Sequence, residues 1–238
     1  MDNAEFLFAV ERSFSEFIRT GTSRSTAKLV PLHGAIASDM AERFGVGYRV
    51  MSQGFASGKE CEVRGRYIAK KVDITILKGN HAVCGIAVKF VMQNYSQNSN
   101  NYFENMMGET ANIRASRRPY FQMLVIPDRL PYYDKSGTIK RWETLAPGQL
   151  VKYHALDIDN PDLVFHAPNK TLIYVLHFPE IGDVKNRDEY RNAYNKIISE
   201  HPDGGWISTA PYEPFTNSVI LNDYVSFAEK VYHAVLAQ

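Results

Sequence analysis

The chain has 238 residues, of which 45% are apolar and 12% aromatic, enough to bury the core of one sizeable globular domain. A formal net charge of only +1 excludes the global cationic field of a histone-like protein, so any affinity for nucleic acid has to come from local clusters. No apolar run approaches the roughly 18 residues that span a bilayer, and the acidic start Met1-Asp2-Asn3-Ala4-Glu5 does not resemble a leader.

Cys61 and Cys84 fall in separate strand-like runs with no second pair beside them, which reads as two reduced thiols. A soluble, cytoplasmic protein without a membrane contact is therefore expected.

In residues 5–20 the apolar side chains Phe6, Leu7, Val10, Phe14, Phe17 and Ile18 recur at intervals of three and four, which predicts an amphipathic helix stopped by Gly21. A second helix is expected over residues 34–44, with Ile36, Met40 and Phe44 on its apolar face and Gly45 as its end. The pattern then changes to three β-rich runs, residues 61–67, 71–77 and 82–92, punctuated by Gly65 and by Lys78-Gly79-Asn80. They read as an antiparallel meander.

The amide-rich stretch 93–101 reads as a polar segment leading into a helix over 101–113, with Ser99 or Asn100 as its N-cap. Two short apolar runs, 120–127 and 171–178, read as buried strands. Between them, residues 128–170 are rich in Pro, Gly, Asp and Tyr, a length that implies functional loops or small unrecognised elements. Helices are expected over 187–199 and 221–236, separated by a Pro/Gly-rich linker at 204–214. No internal repeat is visible.

Chemistry concentrates in two of the β runs. Val72-Asp73-Ile74 and Ala87-Val88-Lys89 place a carboxylate and an ammonium within apolar strands, where each costs several kcal/mol of desolvation (about 2–5) unless a cation, a phosphate or the other group pairs it. Alternation puts Asp73, Thr75 and Leu77 on one face and Lys89 with Ala87 and Val91 on one face. In the expected register Asp73, Ala87 and Lys89 share a face; the plain alternative is a cross-strand ion pair on a solvated surface.

This arrangement resembles the PD-(D/E)XK nuclease superfamily, and within it the type II restriction endonucleases, over residues 32–127. The resemblance implies an α/β fold with a restriction-endonuclease-like αβββαβ core, a mixed central sheet flanked by helices, and additional C-terminal helices. It also implies Mg²⁺ as cofactor, double-stranded DNA as partner and a homodimer matched to a palindromic site. A single nuclease domain over 1–238 is then expected: a core of 32–127 plus 171–178, a DNA-recognition insertion at 128–170 and a helical C-terminal part at 187–238.

On that resemblance Asp73 binds metal and Lys89 orients the attacking water. Ala87 departs from the pattern, because an acid belongs two residues before the lysine and alanine cannot ligate a metal. Three explanations stand side by side. The missing carboxylate has moved to the following helix, as Glu104 or next Glu109; it comes from Glu62 on the first strand or Glu42 on the preceding helix; or alanine has replaced an original acid.

Asn94, Gln97, Asn98 and Asn101 follow directly from the lysine strand and suit contacts with phosphate or adenine. Arg114, Arg117 and Arg118 form the densest basic cluster, with Lys70 and Lys71 a smaller one. The seven histidines are scattered without metal-ligand spacing, and each reads as structural. Two other readings stand beside restriction: a repair, mobile-element or antiphage nuclease that acts on DNA structure, and a non-catalytic DNA-binding protein on a decayed nuclease core.

Overall fold

The structure, a computed structural model, describes residues 1–21, 26–210 and 218–238. Helix α1 (Asn3–Thr20) opens on a capping box in which the Asp2 carboxylate accepts from the amides of Ala4 and Glu5, and it ends at Gly21 in the left-handed region, φ 66°. Helix α2 (Val30–Phe44) starts earlier than the sequence indicates, with Pro31 in its first turn where a missing amide costs nothing.

After α2 the strands β1 (Tyr48–Ser52), β2 (Cys61–Arg64), β3 (Ala69–Val72), β4 (Ile74–Lys78) and β5 (His81–Phe90) follow, then helix α3 (Tyr95–Arg114) and strand β6 (Tyr120–Pro127). The remainder is β7 (Arg129–Tyr133), β8 (Ile139–Thr144), α4 (Val151–Ile158), β9 (Lys170–His177), α5 (Arg187–Glu200), β10 (Ser208–Thr209), β11 (Ile220–Leu221) and α6 (Tyr224–Leu236).

A mixed seven-stranded sheet runs β1-β4-β5-β6-β9-β10, with β11 also on β9. The β1–β4 and β4–β5 pairs are antiparallel, whereas β6 lies parallel to β5 and to β9. The fold is thus α/β, with helices on both faces. On one face α1, α2, α5 and α6 bury the main apolar cluster around Phe6, Phe14, Ile36, Ile74, Ile86 and Phe227. On the other, α3 and α4 cover Leu124, Ile126, Ile173 and Val175. The C-terminal helices are integral to the first layer, since α5 and α6 both pack on α1.

The expected meander is corrected in its first member. Residues 61–64 pair only with β3 in a separate two-stranded ribbon, and the sheet's edge is β1, which lacks a strong apolar alternation because only Val50 and Ser52 are buried. The second run is not one strand either. It bends at Asp73, and the bend reverses the facing: Val72 packs with Ala87, Ile113 and Tyr120, whereas Ile74 and Ile76 enter the main cluster.

The amide-rich stretch is helix, not loop. Helix α3 begins at Tyr95 because tertiary contacts cap it: Glu143 of β8 accepts from the Ser96 amide at 3.2 Å and from its hydroxyl. Asn94 exchanges hydrogen bonds with the backbone of Tyr133, at 2.8 and 2.9 Å. The 128–170 stretch holds the β7–β8 ribbon and α4. Of the expected linker, residues 211–217 lie outside the described residues. Residues 220–221 form β11, so the last helix starts at Tyr224, capped by Asp223. No helix among the described residues is long and apolar enough to cross a membrane.

Candidate active site

At the bend after β3 the Ser52 hydroxyl donates to the Asp73 carbonyl at 2.7 Å, and the Asp73 carboxylate accepts the amide of Val88 at 2.8 Å. The side chain thus bonds to the neighbouring strand where a continuing β4 backbone would have done so, and this clamps Asp73 against the Ala87-Val88-Lys89 segment. Lys89, one residue on, points toward α3, and its ammonium lies 4.4 Å from the centre of the Tyr102 ring.

Both side chains line one open cavity of about 680 Å³, together with Lys28, Lys70, Ala87, Glu104 and Glu109. Its walls are fixed from several directions. Gln122 of β6 is fully buried and donates to the Met106 carbonyl at 2.7 Å, which ties α3 to the sheet. The Asn112 side chain receives the amides of Tyr67 and Ile68, at 2.9 and 3.2 Å, and holds the β2–β3 turn against α3. Lys70 of that ribbon forms an ion pair with Glu109.

Burial pushes the Asp73 carboxyl up to about 6, opposed by the Val88 hydrogen bond and reinforced by Glu109; Lys89 and Lys70 pull it back. Lys89 is lowered by desolvation, with Asp73 and Glu109 acting the other way. Perturbed groups of opposite sign facing one cavity are the usual electrostatics of a functional site.

Among the described residues, one set of three has ligand atoms close enough to share a metal ion: His33 of α2, Glu60 just ahead of β2, and Asp73, all within 4.8 Å of one another. Glu60 is raised by burial and then by the Asp73 carboxylate. His33 is fully buried, and neither of its ring nitrogens has a hydrogen-bond partner. Two carboxylates and an orphaned imidazole form a donor set that fits a divalent cation. Sequence reasoning gave Glu60 no metal role and read His33 as structural. The signal available was weak, because Glu60 precedes its strand and His33 sits on a helix 40 residues from Asp73.

The other expected site residues divide. Glu104 reaches the cavity but is exposed, whereas Glu109 is half-buried and electrostatically coupled to both Asp73 and Lys89. Glu62 is exposed on β2 and is not part of the cavity wall. Glu42 lies in a separate depression with Met1 and Asp39.

Asn94 is occupied by the Tyr133 backbone, Gln97 accepts from Asn94 at 3.2 Å, and Asn98 donates to the Asn94 carbonyl. Asn101 and Arg117 are exposed. The basic cluster is largely a set of backbone clamps. Arg114 is buried and donates to the carbonyls of Val164 and Ala167, and Arg118 donates to those of Ala82 and Arg64. Of the expected cations, Lys70 opens into the cavity. Cys61 and Cys84 are free thiols. No family model, curated protein or solved structure matches the chain.

Proposed function

We propose that this cavity hydrolyses phosphodiester bonds of double-stranded DNA with Mg²⁺, as a sequence-specific type II restriction endonuclease does. One observation carries the reading: Asp73, at the head of one strand, and Lys89, on the next, open into the same cavity as the carboxylates Glu104 and Glu109, and a ligand atom of Glu60, which is not part of the cavity wall, lies within 4.8 Å of one of Asp73. With the separate β2–β3 ribbon between β1 and β4 set aside, the order α2, β1, β4, β5, α3, β6 supports it, since three antiparallel strands are followed by a helix and a parallel strand, as in a restriction-endonuclease-like core.

Asp73 and Glu60 would hold the Mg²⁺, with Glu109 as a carboxylate on the facing wall; the ion would supply positive charge to the phosphate oxygens. Lys89 positions the attacking water and offsets charge that builds on phosphorus. Desolvation lowers the Lys89 pKa, so its ammonium gives up a proton more readily than one in bulk water. Water's oxygen bonds to phosphorus and gives up a proton to solvent, one ester P–O bond breaks, and the leaving oxygen takes up a proton from solvent. Lys28 and Lys70 line the approach for the DNA backbone. A homodimer would bring two such cavities to the two strands of a palindrome, and such an enzyme would work in the cytoplasm.

The test is incubation of the protein with plasmid DNA and MgCl₂, then the same with Asp73→Ala, Glu60→Ala and Lys89→Ala. Discrete fragments from the unsubstituted chain, lost in each variant that still binds DNA, support the reading. Cuts at branched or damaged DNA without fixed sites would instead favour a repair or defence nuclease. Ala87 favours a second reading, a non-catalytic DNA-binding protein; a chain that binds DNA but is inert with both Mg²⁺ and Mn²⁺ would establish it.

A further inference from the structure

His33 is enclosed on every side, yet both of its ring nitrogens lack a hydrogen-bond partner. Burying an imidazole unpaired costs about 1–3 kcal/mol, and a packed apolar side chain would avoid that cost. The local structure holds the ring in place. The Ser13 hydroxyl accepts the Leu32 amide at 3.0 Å and anchors the first turn of α2. Gly34 lies so close to the next loop that a Cβ there would stand 2.7 Å from the Gly54 carbonyl oxygen. That approach draws the segment leading to Glu60 down over α2, and a nitrogen of His33 comes within 4.8 Å of the Glu60 and Asp73 carboxylate oxygens.

We propose that His33, Glu60 and Asp73 bind a first-row transition-metal dication, with His33 as a nitrogen ligand that selects such an ion over Mg²⁺. The proposal rests on the metal-dependent reading of Asp73 and Glu60 and specifies their ion. Mg²⁺ takes oxygen ligands and gives up water reluctantly, whereas Mn²⁺, Fe²⁺, Co²⁺ and Zn²⁺ accept imidazole. Two carboxylates cover the ion's charge, and the cation in turn relieves their mutual repulsion.

The test is MnCl₂ titration of the full chain without DNA, followed by electron spin-echo spectroscopy of the Mn²⁺-loaded protein. The expected result is nitrogen modulation from one imidazole, Mn²⁺ bound about tenfold or more tighter than Mg²⁺, and loss of both in His33→Ala. Affinity for Mg²⁺ should change by less than about threefold in that variant. Absence of nitrogen modulation in the unsubstituted protein overturns the proposal whether or not the variant folds. So does equal affinity for the two ions.

The two readings fail separately. DNA cleavage with Mg²⁺ but no nitrogen signal removes the His33 site and leaves the nuclease. A nitrogen signal without cleavage under any ion removes the nuclease and leaves the metal site.

Discussion

Asp73 accepts the main-chain amide of Val88 at 2.8 Å, so an acidic side chain takes over a sheet hydrogen bond where its own strand bends away. The bond fixes the carboxylate beside Lys89 and leaves it in an environment that resists ionisation, at about 6. Several consequences can be measured.

Asp73→Asn should stabilise the metal-free protein at pH 7 by on the order of 1–2 kcal/mol. The folded pKa of Asp73 lies above its ordinary 3.8, so between those values the native state holds more protons than the unfolded chain and loses stability as pH rises. Asparagine keeps an acceptor for Val88 and has nothing to ionise. Urea denaturation at pH 7 and pH 4 checks this: the gain should shrink at the lower pH, and a variant weaker than the parent at pH 7 would contradict the account.

The opposite dependence belongs to His33. Its pKa is pushed down to about 4 from 6.5, so stability is complete above 6.5 and falls as acid drives protonation of the unfolded chain. His33→Leu removes that term and should retain about 1–2 kcal/mol more of its pH 7 stability at pH 5 than the parent does. Thermal unfolding at the two pH values reads the difference, and parallel losses in both proteins would rule it out.

On the proposed nuclease reading, Lys89→Ala should lower DNA cleavage by about 10²-fold or more while leaving DNA binding nearly intact, because the ammonium would act on the reacting water and lies against Tyr102. Gel cleavage and filter binding on the same preparation separate these effects. A matching loss of binding would reassign Lys89 to DNA attachment.

Arg114→Ala and Arg118→Ala should cost stability, on the order of 1–3 kcal/mol each, and leave the salt dependence of DNA binding unchanged, since each guanidinium is spent on two carbonyls. Lys70→Ala, in the cavity wall, should lower the slope of log affinity against log salt by about one. A changed slope for Arg114 would show that the cluster meets phosphate after all.

Gly34→Ala should destabilise the protein by about 1–3 kcal/mol and weaken cation binding, because the added carbon would collide with the rigid Gly54 carbonyl. Metal titration together with denaturation checks both effects; unchanged cation affinity would mean that the loop, not α2, places Glu60.

What could be read directly from the residue order was what local pattern encodes: α1 with its stop at Gly21, the apolar β5 and β6 runs, and the proximity of Asp73 to Lys89 across adjacent strands. Alternation and helical spacing report which side chains must leave water, and those signals survive folding unchanged. Tertiary structure alone decided the rest. The bend at Asp73 reversed the facing of Val72, capping by Glu143 turned the amide-rich stretch into helix, and backbone carbonyls claimed the arginines. Glu60 and His33 meet Asp73 only because α2, a loop and a strand end converge in space. No periodicity records contacts between segments so far apart in the chain, since periodicity reports only which neighbours along one segment share a buried face.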